Sequence, residues 1–129
     1  MKLLLDTHIW LWYRLGNPRL SLNLQTIIND QTNELWLSPM SIWETLLLAE
    51  KSRITLAPTA EQWIQNSLEE LDTKEAPITN EIAILSRQLN LAHQDPGDRF
   101  IAATAVYYNL TLATVDANLT NASCLQTLS

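Results

Sequence analysis

An α/β fold with a mostly parallel, short-stranded sheet covered on both faces is the class this sequence predicts. Short apolar runs, Lys2 to Leu5, Glu34 to Leu37 and Leu110 to Val115, alternate with longer helix-like stretches. Each run is almost continuously apolar, as strands buried on both faces are. The chain has 129 residues, 47% apolar and 17% charged, enough to bury a core and too apolar to stay disordered. One domain, 1–129, is expected.

The elements follow in order. Lys2 to Leu5 reads as a buried strand ending at Asp6. Thr7 to Leu15 reads as a buried helix, stopped by Gly16-Asn17-Pro18. Ser21 is placed to cap a second helix with Leu22, Leu24, Ile27 and Ile28 inward. After the strand Glu34 to Leu37, Ser41-Ile42-Trp43-Glu44 has capping-box spacing and predicts a helix to about Ser52. Thr59-Ala60-Glu61-Gln62 repeats that signature and predicts another helix to about Leu71. Ala76 and Pro77 form a link with room for a brief strand. Thr79 opens a helix to about Leu89, and Asp95-Pro96 opens one through Tyr108, with proline at the favoured first position. Leu110 to Val115 is the next strand, ending at Asp116. A short final strand is expected near Cys124-Leu125.

Bulk charge narrows the function. The net charge is -6 with only eight Lys and Arg, so the chain is not an obvious nucleic-acid binder through diffuse charge. A protein of this charge handles nucleic acid only with a metal ion, a local basic rim or a partner. The single cysteine, Cys124, rules out an internal disulfide and suits a reducing cytoplasm. MKLLLDTHIWLW looks like a signal peptide at first sight, but Asp6, His8 and Arg14 interrupt the segment and its flank, and no small-x-small site follows. No stretch approaches the ~18 uninterrupted apolar residues of a membrane span, so no membrane partner is expected.

The acids then stand out. Asp6 and Asp116 end strands, and in an open parallel sheet ligands bind outside those carboxyl ends. Glu44 and Asp98 each fall in the first turn of a predicted helix on that side. Each has a plain alternative. Asp6 and Asp116 fit turns, and Glu44 fits the capping box with Ser41. Asp95 is a cap, and its i,i+4 spacing allows a pair with Arg99. Asp98 fits the plain reading least. Asp95 already caps that helix, and Asp98 shares a face with the small residues Ala102 and Ala105, which let the helix lie close to the sheet. Gathered carboxylates repel unless a cation joins them or some are protonated. Mg²⁺ is a hard cation that keeps waters and takes few protein carboxylates, a combination suited to phosphodiester hydrolysis.

With those residues in view, the chain resembles the PIN-domain ribonucleases, and most closely the VapC-type toxins of bacterial toxin–antitoxin pairs. LLLDTHIWLW is similar to the family's first strand and first acid, Asp6. SPMSIWE matches the segment carrying Glu44, HQDPGDRFIAATA the segment carrying Asp98, and LTLATVD the strand ending at Asp116. The resemblance implies a three-layer α/β/α domain and RNA cleavage dependent on Mg²⁺ or Mn²⁺. It also implies homodimers and inhibition by a small VapB-like antitoxin. It makes Asp6, Glu44, Asp98 and Asp116 the catalytic and metal-holding residues, with Thr7 and Thr114 as supporting hydroxyls. Their plain readings are a helix cap and a strand threonine. The chain departs from the family at Leu48, where relatives often carry a basic residue, and at Ser52, where they tend to have glycine. Lys51 and Arg53 are the nearby cations.

Other residues invite a role and are given a plainer one. His8 and His93 lack the further ligands of a histidine metal site, and Cys124 has no histidine beside it. Arg14, Arg87 and Arg99 are candidate phosphate contacts, with surface salt bridges the better expectation. Trp10, Trp12, Trp36 and Trp43 are mostly core, with Trp12 or Trp43 the candidate contact for an antitoxin helix. A signalling receiver domain would need an aspartate in 50–60 and a late lysine, and neither is there. A haloacid-dehalogenase-type phosphatase would need an acid at His8. The remaining rival is a non-catalytic PIN-fold module that acts through a partner.

Overall fold

The computed structural model describes residues 1–92 and 94–129; His93 lies outside the described residues. The chain runs β1 (Lys2–Leu5), α1 (Thr7–Leu15), α2 (Leu22–Asn29), β2 (Glu34–Leu37), α3 (Pro39–Glu50) and α4 (Ala60–Glu70). It continues through β3 (Lys74–Glu75), α5 (Asn80–Gln88), α6 (Pro96–Tyr107), β4 (Thr111–Ala113), α7 (Ala117–Thr120) and β5 (Thr127–Leu128). The described strands form one sheet in the order β3-β2-β1-β4-β5, every pairing parallel.

The pleat of β1 explains the layers. Leu3 and Leu5 point to one face and pack with Ile9, Trp10, Leu24 and Ile64 from α1, α2 and α4. Leu4 points to the other face and meets Ile101, Ala102 and Ala105 of α6. All three leucines are fully buried. The result is the expected three-layer α/β/α arrangement.

Local chemistry sets the helix ends. Ser21 Oγ accepts from Leu24 N–H at 3.1 Å, and Thr59 and Thr79 cap α4 and α5 in the same way. Gly16 closes α1 with φ +64°, a left-handed conformation that costs glycine little. Asp95 Oδ1 caps α6 by accepting from Asp98 N–H at 3.1 Å.

Several expectations are corrected. Leu22 is 80% exposed, because the inward face of α2 is set by Leu24 and Ile28. The brief strand before α5 is Lys74–Glu75 and not Ala76–Pro77, because β2 pairs Trp36 and Leu37 with those residues. The final strand is Thr127–Leu128 and not near Cys124, because β4 pairs Leu112 and Ala113 there. Arg99 does not reach out to Asp95. It is 4% exposed, its Nε donates to Ser86 O at 2.8 Å, and its guanidinium donates to Leu89 O at 2.7 Å. It ties α6 to the end of α5. Arg14 does form the expected surface ion pair, with Glu70.

Candidate active site

The sheet order places the site. From β1 the chain crosses to β2 on one side, whereas β4 lies on the other side of β1. Loops leaving β1 and β4 therefore diverge, and a crevice opens at the carboxyl ends of the two strands. Asp6 follows β1 and Asp116 follows β4, so both stand at that crevice. Asp6 N–H donates to Ala113 O at 3.0 Å, which fixes the first acid against the neighbouring strand end.

Thr114 joins these two acids. Its hydroxyl donates to Asp6 Oδ2 at 2.7 Å and accepts from Asp116 N–H at 3.1 Å. Asp6 Oδ1 accepts from Thr7 N–H at 2.9 Å. Burial pushes the Asp6 carboxyl above its usual range, and the bonds from Thr114 and Thr7 partly offset that. Asp116 also caps α7, accepting from Asn118 N–H at 2.8 Å. Its turn reading and its place at the crevice are both realised.

Glu44 arrives differently from expected. The helix does not begin at Ser41. It begins at Pro39, with Ser38 Oγ accepting from Met40 N–H at 3.0 Å. Proline at the first helical position, preceded by serine, outweighs the capping-box spacing. Glu44 thus sits past the first turn and closes no cap. Its Oε1 lies 3.1 Å from Thr7 Oγ1, which also lies 2.8 Å from Ser41 Oγ. Ser41, read from sequence as a cap, is instead a buried hydroxyl that locks the start of α1 to α3. The Ser38-Pro39 pair is the signal that would have shown this.

Asp98 completes the group from α6, with Ala102 and Ala105 buried behind it. Its carboxyl is pushed up to about 7, first by burial, then by the charges of Asp6, Asp95, Asp116 and Glu44. Glu44 is raised by burial and by Asp6 and Asp95. Asp98 therefore lies in the field of the other three expected acids, Asp6 in that of Asp116, and Glu44 in that of Asp6, while Asp95, expected only as a cap, is a fifth charge there. Gly97 is another residue whose part was not read from sequence. A Cβ on it would stand 3.2 Å from Asp95 Oδ1 and 3.3 Å from Glu44 Oε1, so glycine gives these carboxylates their room.

Among the described residues, no group of three or more His, Cys, Asp or Glu side chains forms a ready cage for a metal ion. The acids make a rim, not a cage. Their donor chemistry nevertheless fits a hard cation. They offer carboxylate oxygen, and burial and mutual repulsion, which together raise Asp98 and Glu44, are what a cation would offset. A water-rich ion such as Mg²⁺ needs only one or two of them directly.

Among the described residues, no helix is long and apolar enough to cross a membrane. The expected antitoxin contacts differ in exposure: Trp12 is half-buried against the core, whereas Trp43 is 56% exposed.

Comparison with known proteins agrees with this architecture. A family model described as PIN domain matches residues 3–123. Ribonuclease VapC22 of Mycobacterium tuberculosis (strain ATCC 25618 / H37Rv) is 34% identical over 117 residues, 90% of this chain and 88% of that protein. DNA-bound VapBC from Salmonella typhimurium has a chain of the same fold, with TM-score 0.74 and 20% identity, covering 99% of this chain and 97% of its own. VapBC2 from Rickettsia felis, bound to a promoter DNA fragment, gives TM-score 0.70 and 19% identity over 99% of this chain and 98% of its own.

Proposed function

The chain belongs to the PIN-domain family, in its VapC branch, and on that premise we propose that it is a metal-dependent endoribonuclease, the toxin of a toxin–antitoxin pair. The observation that carries the reading is the rim itself. Acids from four separate segments, Asp6, Glu44, Asp98 and Asp116, meet at the crevice where β1 and β4 diverge, and three of them, Asp6, Glu44 and Asp98, have raised carboxyl pKa values as a result.

Asp6, Glu44, Asp98 and Asp116 are the residues that would hold Mg²⁺, one or two of them directly, with Mn²⁺ as a substitute. Bound there, such an ion supplies a polarised phosphoryl oxygen and a more acidic attacking water. The chain's own residues supply the rest. Thr7 and Thr114 orient Glu44 and Asp6 by the hydrogen bonds described. Glu44 is half-buried and lines the adjoining cleft, which suits it to take the proton of the attacking water. Asp98, its carboxyl pushed up to about 7 without a cation, would ionise more readily with positive charge beside it. The same charge reversal lets a protein of net charge -6 accept a phosphodiester.

The reading includes a small VapB-like antitoxin, a homodimer and a cytoplasmic setting. The test is cleavage of RNA by the purified protein with Mg²⁺ or Mn²⁺, with chelator, and with Asp98→Asn. Cutting that needs metal and is lost in the variant supports the reading. Equal cutting by both proteins overturns the site. No cutting, together with no heat of Mn²⁺ binding, favours the non-catalytic module.

A further inference from the structure

We infer that the cleft beside Glu44 receives an unstacked base of the RNA substrate, with Trp43 as its stacking face, an inference that rests on the nuclease reading above. α3 is apolar nearly all round, and such a helix is ordinarily buried on every side. Here it buries its hydroxyls, Ser41 and Thr45, and leaves Leu46 and Leu47 half-buried and Trp43 56% exposed. The indole stands between two clefts of about 570 Å³ each. One is lined by Leu37, Ile42, Leu46 and Leu68 and lies away from the acids. The other, lined by Met40, Leu47 and Ile78, shares Glu44, Asp95 and Gly97 with the rim. Whatever enters the second cleft lies beside Glu44, one of the four expected acids.

Charge decides which part of a nucleotide fits. Among the described residues, the ionisable groups lining this cleft are Glu44, Asp95 and His8, with no Lys or Arg. Two carboxylates against one imidazole disfavour a phosphate there, whereas a neutral, flat base suits an apolar slot with an indole wall. Single-stranded RNA is read through splayed bases stacked on aromatic side chains. Stacking needs no cation, so it gives this acidic protein a hold on RNA that its few Lys and Arg do not. Because Trp43 and Glu44 line one cleft, the base held there belongs to a nucleotide next to the bond being cut.

The experiment uses the full chain carrying Asp98→Asn, so that bound RNA stays intact. It is titrated in Mg²⁺ with a random pool of single-stranded 12-nucleotide RNA, followed by tryptophan fluorescence and, separately, by anisotropy of end-labelled RNA. Adding Trp43→Ala is expected to weaken binding about 10-fold and abolish most of the quench, with the salt dependence unchanged. Adding Trp43→Phe is expected to keep affinity within about threefold, because a stacking face remains. Sedimentation of each protein without RNA completes the test. Unchanged RNA affinity in Trp43→Ala overturns the inference. So does a loss of affinity that simply tracks conversion of a dimer to monomers, which would show that a second copy covers the indole. If the Asp98 form binds RNA through Trp43 but wild type never cuts, the nuclease reading falls while the base site stands.

Discussion

Replacing Asp98 by asparagine should make the metal-free protein more stable. A carboxyl with a raised pKa keeps its proton in the folded state at pH values where the unfolded chain has lost it. Folding stability therefore falls as pH rises from about 4 towards about 7, and the full cost is present above that. The shift from 3.8 to about 7 is roughly three units. At ~1.36 kcal/mol per unit the ceiling is ~4 kcal/mol. Asp98 is half-buried, and screening by solvent reduces this to ~1–2 kcal/mol. For a domain of this size that is a rise of about 4–8 °C in Tm. The assay is thermal unfolding of wild type and Asp98→Asn in chelator at pH 8 and again near pH 4. The variant should lead at pH 8, and the gap should close near pH 4, where both side chains are neutral. Excess Mn²⁺ should then stabilise wild type, by ~2.7 kcal/mol at a hundredfold excess over Kd, and the variant less. A variant that is less stable at pH 8, or a gap independent of pH, would refute the account of the rim as a strained acidic cluster.

Further consequences follow from single contacts. Gly97→Ala should slow RNA cleavage by roughly 10- to 100-fold with little change in Tm, since the added methyl displaces Glu44 or Asp95; an unchanged rate argues against Glu44. Thr114→Val removes the donor to Asp6 Oδ2, so the Asp6 pKa should rise further and the acidic limb of the cleavage profile should move to higher pH. An unmoved limb would mean Asp6 ionisation does not control the rate. Arg99→Met leaves the carbonyls of Ser86 and Leu89 without its donors and should lower stability by ~2–4 kcal/mol in urea unfolding. A midpoint within error of wild type would show that the α5–α6 tie is unimportant.

Sequence carried the fold class and the four acids, but not their setting. Ser41 shows why. Its spacing from Glu44 satisfies a local rule, yet Ser38-Pro39 satisfies a competing one three residues earlier, and the helix follows the serine–proline start. Arg99 is a second case. Its i,i+4 spacing from Asp95 allows an ion pair, but the carbonyls at the end of α5 offer a buried guanidinium bonds that no helical periodicity predicts. Exposure likewise separates two tryptophans that look alike in sequence, Trp43 standing out and Trp12 half-buried against the core.

By itself the sequence determined that short buried strands alternate with helices, where most helices begin, and that acids end two strands and enter two helices. Those are properties of neighbours along the chain: apolar runs, caps and prolines. Only the tertiary structure decided that β1 lies between β2 and β4, and hence that Asp6 and Asp116 share one crevice. It also decided that Thr7 links α1 to Ser41 and Glu44, that Gly97 lies beside two carboxylates, and that Asp98 titrates near 7. Desolvation and Coulomb repulsion depend on distances through space, and residues 37 to 108 positions apart in sequence become neighbours only when the sheet closes.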